Sequence, residues 1–244
     1  MKIYGNTALI TGGTSGIGRA LAGALYAAGN RILITGRNPE RLNQTLSEYP
    51  DWQGLAADLR NIDDIQKIAD WALGFEDLNI LVNNAGIQSE INFLRDSSAP
   101  GPLLDELRVN LEGPIRLIQE CLPSLLSKAE AAIINVTSAL GEVPLSRYPI
   151  YSASKAALSA YSYCLRTQLA NTAVQVFDVV PPFTDTPMNE HRSGSKVPPA
   201  VVADAVLVGV KKNQSTIRPG KAALLHRIHR LSPGLATRLV EAGS

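Results

Sequence analysis

Short apolar runs alternate along this chain with longer stretches of helical period. The apolar runs predict strands over residues 7–11, 31–35, 52–57, 79–82, 131–137 and 174–180, with a short last one at 215–217. Helical spacing covers 19–29, closed by Gly29, and 39–48, with Asn38 as N-cap and Pro39 at the first position. It also covers 61–73, with Ile62, Ile65, Ile68, Ala69 and Ala72 on the apolar side, and 103–127, where Gly113-Pro114 predicts a kink. A further helix starts near Tyr151, and another covers 199–212. Strands and helices taken in turn predict the α/β class: one domain, 1–244, built on a doubly wound, mostly parallel sheet. Ligands of such sheets bind beyond the carboxyl ends of the strands.

Three segments break the alternation. Residues 87–102 are polar and irregular, with Ser97, Ser98 and Pro100, and read as a loop over the active face. Residues 182–199 are rich in Pro, Ser, Gly and charge and read as a mobile lid. The tail, 222–240, is amphipathic and basic, broken by Pro233-Gly234; an interface and a membrane-surface contact both stay open. His226 and His229 share its basic side, and no Glu or third His completes a metal spacing. We read a solvated helix face there and expect no metal.

Composition narrows the classes. Hydrophobic residues make up 45% of 244, enough for a sizeable core, and the net charge of +1 sets up no field for nucleic acid. The chain opens on a strand rather than a signal peptide, and no apolar run reaches the length of a membrane span. Cys121 and Cys164 sit in helical patterns and read as reduced core thiols, which suits the cytoplasm.

The first strand runs into Gly12-Gly13-Thr14-Ser15-Gly16-Ile17-Gly18 and then a helix. Glycines there let the backbone approach a pyrophosphate, and the helix N-terminus favours its charge. No Gly-Lys-Ser/Thr follows, so this is not a P-loop; Ile17 where a second glycine is required excludes a nucleophile elbow. After the second strand, where an NAD site presents an acid for the ribose, this chain has Gly36-Arg37-Asn38. Arg37 there suits the 2′-phosphate of NADP; a surface arginine at a helix start is the alternative.

Tyr151 and Lys155 lie one helical turn apart, which puts both on one face. A charge about 4 Å away is worth about 4 kcal/mol at an effective dielectric of 20. At about 1.4 kcal/mol per unit, Lys155 is expected to lower the phenol by two to three units. A tyrosine so tuned passes a proton to or from a carbonyl or alcohol oxygen. Ser138, at the end of the fifth strand, can hold that oxygen by hydrogen bond. Tyr148 is a rival tyrosine without a lysine at i+3 or i+4.

Taken together, Thr11-Gly12-x-x-x-Gly16-Ile17-Gly18, Asp58, Asn83-Asn84-Ala85-Gly86, Asn110, Ser138 and Tyr151-x-x-x-Lys155 resemble the short-chain dehydrogenase/reductase family, compact single-domain branch, over about residues 3–212. The resemblance implies a Rossmann-type fold and hydride transfer between NADP(H), or NAD(H), and a carbonyl/alcohol pair. It implies catalytic roles for Tyr151 as acid/base, Lys155 beside it and on the nicotinamide ribose, Ser138 on the substrate oxygen and Asn110 holding a relay water. Gly12, Thr14, Ser15, Gly16, Ile17, Gly18, Arg37, Asp58, Asn84, Ala85, Gly86, Tyr151, Lys155 and Thr184 are the implied cofactor residues, with Thr186 near the carboxamide. It implies a homodimer or homotetramer through the helices at 103–127 and 151–170, where Ala153, Ala156, Ala157 and Ala160 permit close packing.

Two positions depart from the pattern. Pro182 stands where most members have glycine, and Ser15 where many NADP-preferring members have Lys or Arg. Pro181-Pro182 with Thr35-Gly36-Arg37 is similar to a bacterial subgroup associated with lipoteichoic-acid D-alanylation. An epimerase or dehydratase is disfavoured because little chain remains for a substrate domain, and a non-catalytic nucleotide-binding scaffold by the complete set of four catalytic residues. The pocket is expected to offer Leu140, Val143, Leu145, Phe93, Phe183 and Met188, and so a fairly apolar small-molecule carbonyl compound as substrate. Glu142, Arg147 and His191 either bind a polar group of it or face water.

Overall fold

The computed structural model describes residues 1–94 and 101–242. Seven strands form one parallel sheet: β1 (Thr7–Ile10), β2 (Arg31–Gly36), β3 (Gln53–Ala56), β4 (Leu78–Asn83), β5 (Ala131–Val136), β6 (Val174–Val179) and β7 (Thr216–Ile217), in the order β3-β2-β1-β4-β5-β6-β7. The order reverses between β1 and β4, which opens a crevice at their carboxyl ends.

Successive strand residues point to opposite faces, and both faces are buried. Ala8, Ile10, Ile32, Ile34, Ile80 and Val82 pack against α1 (Gly16–Ala27), α2 (Pro39–Glu48) and α8 (Pro199–Lys211). The intervening Leu9, Leu33, Leu81 and Ile133 pack against α3 (Ile62–Leu73), α5 (Gly113–Leu126) and α7 (Pro149–Gln168). In α3 the apolar side is Ile65, Ile68, Ala69 and Ala72; Ile62 is exposed instead, because it is the first helical residue, before the stripe turns inward. Asn61 caps that helix by accepting from Asp63 N.

The single helix expected over 103–127 is interrupted. α4 (Gly101–Leu107) passes into a π-helical stretch, Arg108–Glu112, before α5 begins. Pro114 has no N–H for the carbonyl four residues back, that of Asn110, and Gly113 N bonds the Arg108 carbonyl at π spacing. The break therefore falls just ahead of Gly113-Pro114, with Asn110 inside it. Ser97, Ser98 and Pro100 of the expected loop lie outside the described residues, while Gly101 and Pro102 belong to α4. Cys121 is buried, but Cys164 is exposed on α7 and is no core thiol.

The segment expected as a lid is pinned at its base by a bridge between Thr184 and Val197, with a 3₁₀ turn, Pro187–Asn189, between them. The tail folds as two helices, α9 (Lys221–Leu231) and α10 (Pro233–Ala242). Among the described residues no helix is long and apolar enough to cross a membrane.

Candidate active site

β1 delivers the chain into the glycine turn, which is shaped by close backbone approach. Gly12 has φ +66, and a Cβ on Gly18 would stand 2.3 Å from the Gly12 carbonyl oxygen. Asn84 braces the turn from β4: its Nδ2 donates to the Thr11 and Gly12 carbonyls (2.9 and 3.3 Å), and its N–H and that of Ala85 donate to Thr11 Oγ1. Asn84 thus holds the cradle through side-chain bonds. Ser15 sits at the N-cap of α1, yet its hydroxyl caps nothing, so hydroxyl and helix N-terminus both remain for a ligand.

These residues wall a cavity of about 990 Å³, at the upper end of the ~300–1,000 Å³ usual for a ligand pocket. Gly12, Thr14, Ser15, Gly16, Ile17, Arg37, Asp58, Asn84, Ala85, Gly86, Ser138, Tyr151, Lys155, Thr184 and Thr186 all line it. Gly18 and Asn110 stand behind the wall and shape it. Arg37 is joined there by Arg41, which the sequence did not single out. Asp58 is desolvated, which alone raises a carboxyl, but hydrogen bonds and charge from Arg60, two residues on, hold it below its usual range.

At the other end, Ser138 caps the short helix α6 (Ala139–Glu142), accepting from Leu140 N at 3.1 Å. The same hydroxyl faces the phenol of Tyr151 and favours its ionised form. Burial raises the Tyr151 phenol above its usual 10; Ser138 pulls the other way, Glu106 adds to the rise and Arg192 opposes it. The expected lowering by Lys155 is therefore not what the structure shows. The lysine is itself buried, which brings it down to about 8, and its Nζ donates to the Val136 carbonyl at 2.9 Å. Desolvation is the largest cause for both groups. Buried Asp178, missed in the sequence, opposes the fall of Lys155 and is itself tied to Thr137 Oγ1 (2.6 Å) and Ser159.

Asn110 is buried, with Oδ1 accepting from Ile87 N (2.9 Å) and Nδ2 donating to the Ile87 carbonyl (2.9 Å) and Ser154 Oγ (3.1 Å). It ties the loop after β4 to α7. Gly86 passes between, and a Cβ there would stand 3.2 Å from Asn110 Oδ1 and 3.4 Å from Lys155 Nζ.

The substrate end differs from expectation. Leu140, Phe183 and Met188 line the cavity, but Val143 and Leu145 are fully buried behind it and Phe93 is exposed away from it. Their places are taken by Leu225, Leu239 and Val240 from α9 and α10. The tail is fastened over the site: Glu142 accepts from Arg218 (2.5 Å) and meets His226 Nδ1 at 3.2 Å, and Glu241 accepts from Ser146 N and Oγ (2.9 and 3.0 Å). Glu142 is thus spent on structure, and Arg147 pairs with Glu90 at 3.3 Å. His191 is exposed. Only helical period pointed to the tail as amphipathic, and period does not say what an apolar face covers.

The chain is similar to known proteins both in sequence and in fold. A family model for short chain dehydrogenases matches residues 6–196. The "Uncharacterized oxidoreductase DltE" of Bacillus subtilis strain 168 is 41% identical over 191 residues, 78% of this chain and 76% of the relative. A short chain dehydrogenase from Burkholderia cenocepacia J2315 in complex with NADP superposes with TM-score 0.86 at 29% identity, covering 98% of this chain and 99% of the other. A Burkholderia phymatum short chain dehydrogenase/reductase in complex with NAD shares the fold, with TM-score 0.84 at 22% identity over 95% and 96% of the two chains. A crevice at the sheet's switch point, walled by a braced glycine turn and a Ser-Tyr-Lys cluster, joins these likenesses in one conclusion: the chain belongs to the short-chain dehydrogenase/reductase family and is an oxidoreductase of that kind.

Proposed function

We propose that the enzyme interconverts a carbonyl compound and its alcohol with NADP(H), Tyr151 passing the proton. The observation that carries this is a cavity walled at one end by Ser138, Tyr151 and Lys155 and at the other by the glycine cradle. The cradle fits a dinucleotide on its own geometry: Gly12, Gly16 and Ile17 line the cavity at the turn, and the α1 N-terminus with the Ser15 hydroxyl is left for phosphate. Arg37 just after β2 and Arg41 in the first turn of α2 fit a 2′-phosphate, and the NADP complex of the Burkholderia cenocepacia relative supports that choice.

A bound nicotinamide supplies or accepts the hydride. The chain's residues do the rest. Ser138 orients the substrate oxygen and Tyr151, its proton retained by burial, donates to that oxygen as general acid in reduction. Lys155, charged at neutral pH even at about 8, stabilises negative charge as it develops on the phenol. Asn110 fixes the wall behind them and, through the carbonyl that Pro114 leaves unbonded, offers a water its anchor. The pinned segment at 182–199 serves as lid.

The same reading includes a homodimer or homotetramer through α5 and α7. Ala153, Ala160 and Tyr163 are exposed along α7 and so do not pack on the chain's own sheet. Two free cysteines suit a reducing, cytoplasmic setting. Fluorescence titration with NADPH and NADH tests the cofactor: at least ten-fold tighter NADPH binding, lost in Arg37→Ala, is expected. Equal binding of both would remove Arg37 from this role.

A further inference from the structure

The cavity is more basic than the chain. Arg37, Arg41, Lys155, Arg192 and Lys221 line it against one acid, Asp58, already engaged by Arg60, while the whole chain carries only +1. Arg37 and Arg41 stand at the nucleotide end. Arg192 stands at the other. Its guanidinium lies 4.5 Å from the ring centroid of Phe183 and 5.0 Å from that of Tyr148, the buried residue at the N-cap of α7. Phe183 and Met188 beside it belong to the same wall as Leu140 and Leu225.

No carboxylate among the described residues pairs with Arg192. Asp185 is engaged by Lys196 (3.9 Å), and Glu142 by Arg218 and His226. Among the described residues its side chain makes one hydrogen bond, a long one from Nη1 to Asn189 Oδ1 at 3.4 Å, and its Nε is buried without a partner; so is the Tyr148 hydroxyl. A guanidinium held close to two rings, with donors unspent and no carboxylate partner among the described residues, is set up to receive a planar anion by paired N–H bonds.

We propose that Arg192 is a specificity-determining residue that binds a carboxylate on the substrate, so that the enzyme acts on an oxo acid or hydroxy acid with an apolar chain. The carboxylate sits at Arg192, the reacting oxygen at Ser138 and Tyr151, and the connecting chain runs along Leu140, Met188 and Leu225. This rests on the oxidoreductase reading for its meaning, and its test does not need turnover.

The test is calorimetric titration of the enzyme saturated with NADP⁺ with the straight-chain carboxylates from butanoate to decanoate, their amides, and hexyl phosphate. In the wild type at least one carboxylate should bind ten-fold or more tighter than its amide. Arg192→Gln should erase that ratio, Arg192→Lys should restore part of it, and NADP⁺ affinity should stay within about two-fold. Carboxylates no tighter than amides, a ratio that survives Arg192→Gln, or loss of NADP⁺ affinity in that variant would each overturn the assignment. Binding of hexyl phosphate with no preference for any carboxylate would overturn it too. Failure of Tyr151 as acid would appear in turnover and leave these ratios untouched.

Discussion

Lys155 gives its hydrogen bond to the carbonyl of Val136, 2.9 Å away at the end of β5, and its Nζ stands 5.7 Å from the centre of the Tyr151 ring. The lysine is thus anchored to the sheet, with its charge close to the phenol ring. Burial brings it to about 8 from an ordinary 10.5. The unfolded chain then holds this proton up to about 10.5 while the folded one releases it from about 8. Between those values the unfolded state binds more protons, so stability owed to this residue rises with pH across the window. The 2.5-unit gap is worth about 3 kcal/mol. Urea unfolding of the cofactor-free enzyme and of Lys155→Met should show the wild type gaining about that much on the variant from pH 7 to above 10. A constant difference would mean the lysine is not desolvated as described.

Gly18 against Gly12 sets the shape of the cradle. In Gly18→Ala the new methyl would meet the Gly12 carbonyl at 2.3 Å and Asn84 Nδ2 at 2.4 Å. Overpacking of this kind costs about 1–3 kcal/mol, and the movement it forces is into the cofactor's approach. NADPH affinity should fall ten-fold or more, with the fold retained by circular dichroism. Unchanged affinity would show that the turn does not hold the dinucleotide.

Leu225 on α9 narrows the substrate end. Leu225→Ala should shift kcat/KM from small carbonyl compounds towards branched ones by ten-fold or more, since one methylene in such a pocket is worth about 1–3 kcal/mol. No shift in selectivity would place the tail helices outside substrate recognition.

The parts of this site that lie within a few residues of one another were legible in the sequence. The glycine turn, Asn84-Ala85-Gly86, and the spacing of Tyr151 and Lys155 each carry their geometry locally, and the parallel, doubly wound sheet followed from the alternation of elements. What depends on packing between distant segments was not. Arg192 gains its role from Phe183 and Tyr148, which reach it only through the fold. Leu225 and Val240 enter the wall because α9 and α10 turn back over α6 and α7. Charge spacing alone suggested that Lys155 lowers Tyr151; burial, which has no sequence signature here, reverses the direction in the cofactor-free protein.

The central claim is that Tyr151 moves the proton. The most direct measurement is turnover by Tyr151→Phe under saturating NADPH, on a carbonyl compound the wild type reduces, with NADPH affinity determined on the same preparation. General acid catalysis contributes about 10²–10⁴-fold, so kcat should fall by at least a hundred-fold while NADPH binds as before. Turnover within a few-fold of wild type would contradict the claim, and the proton would then have to come from another group.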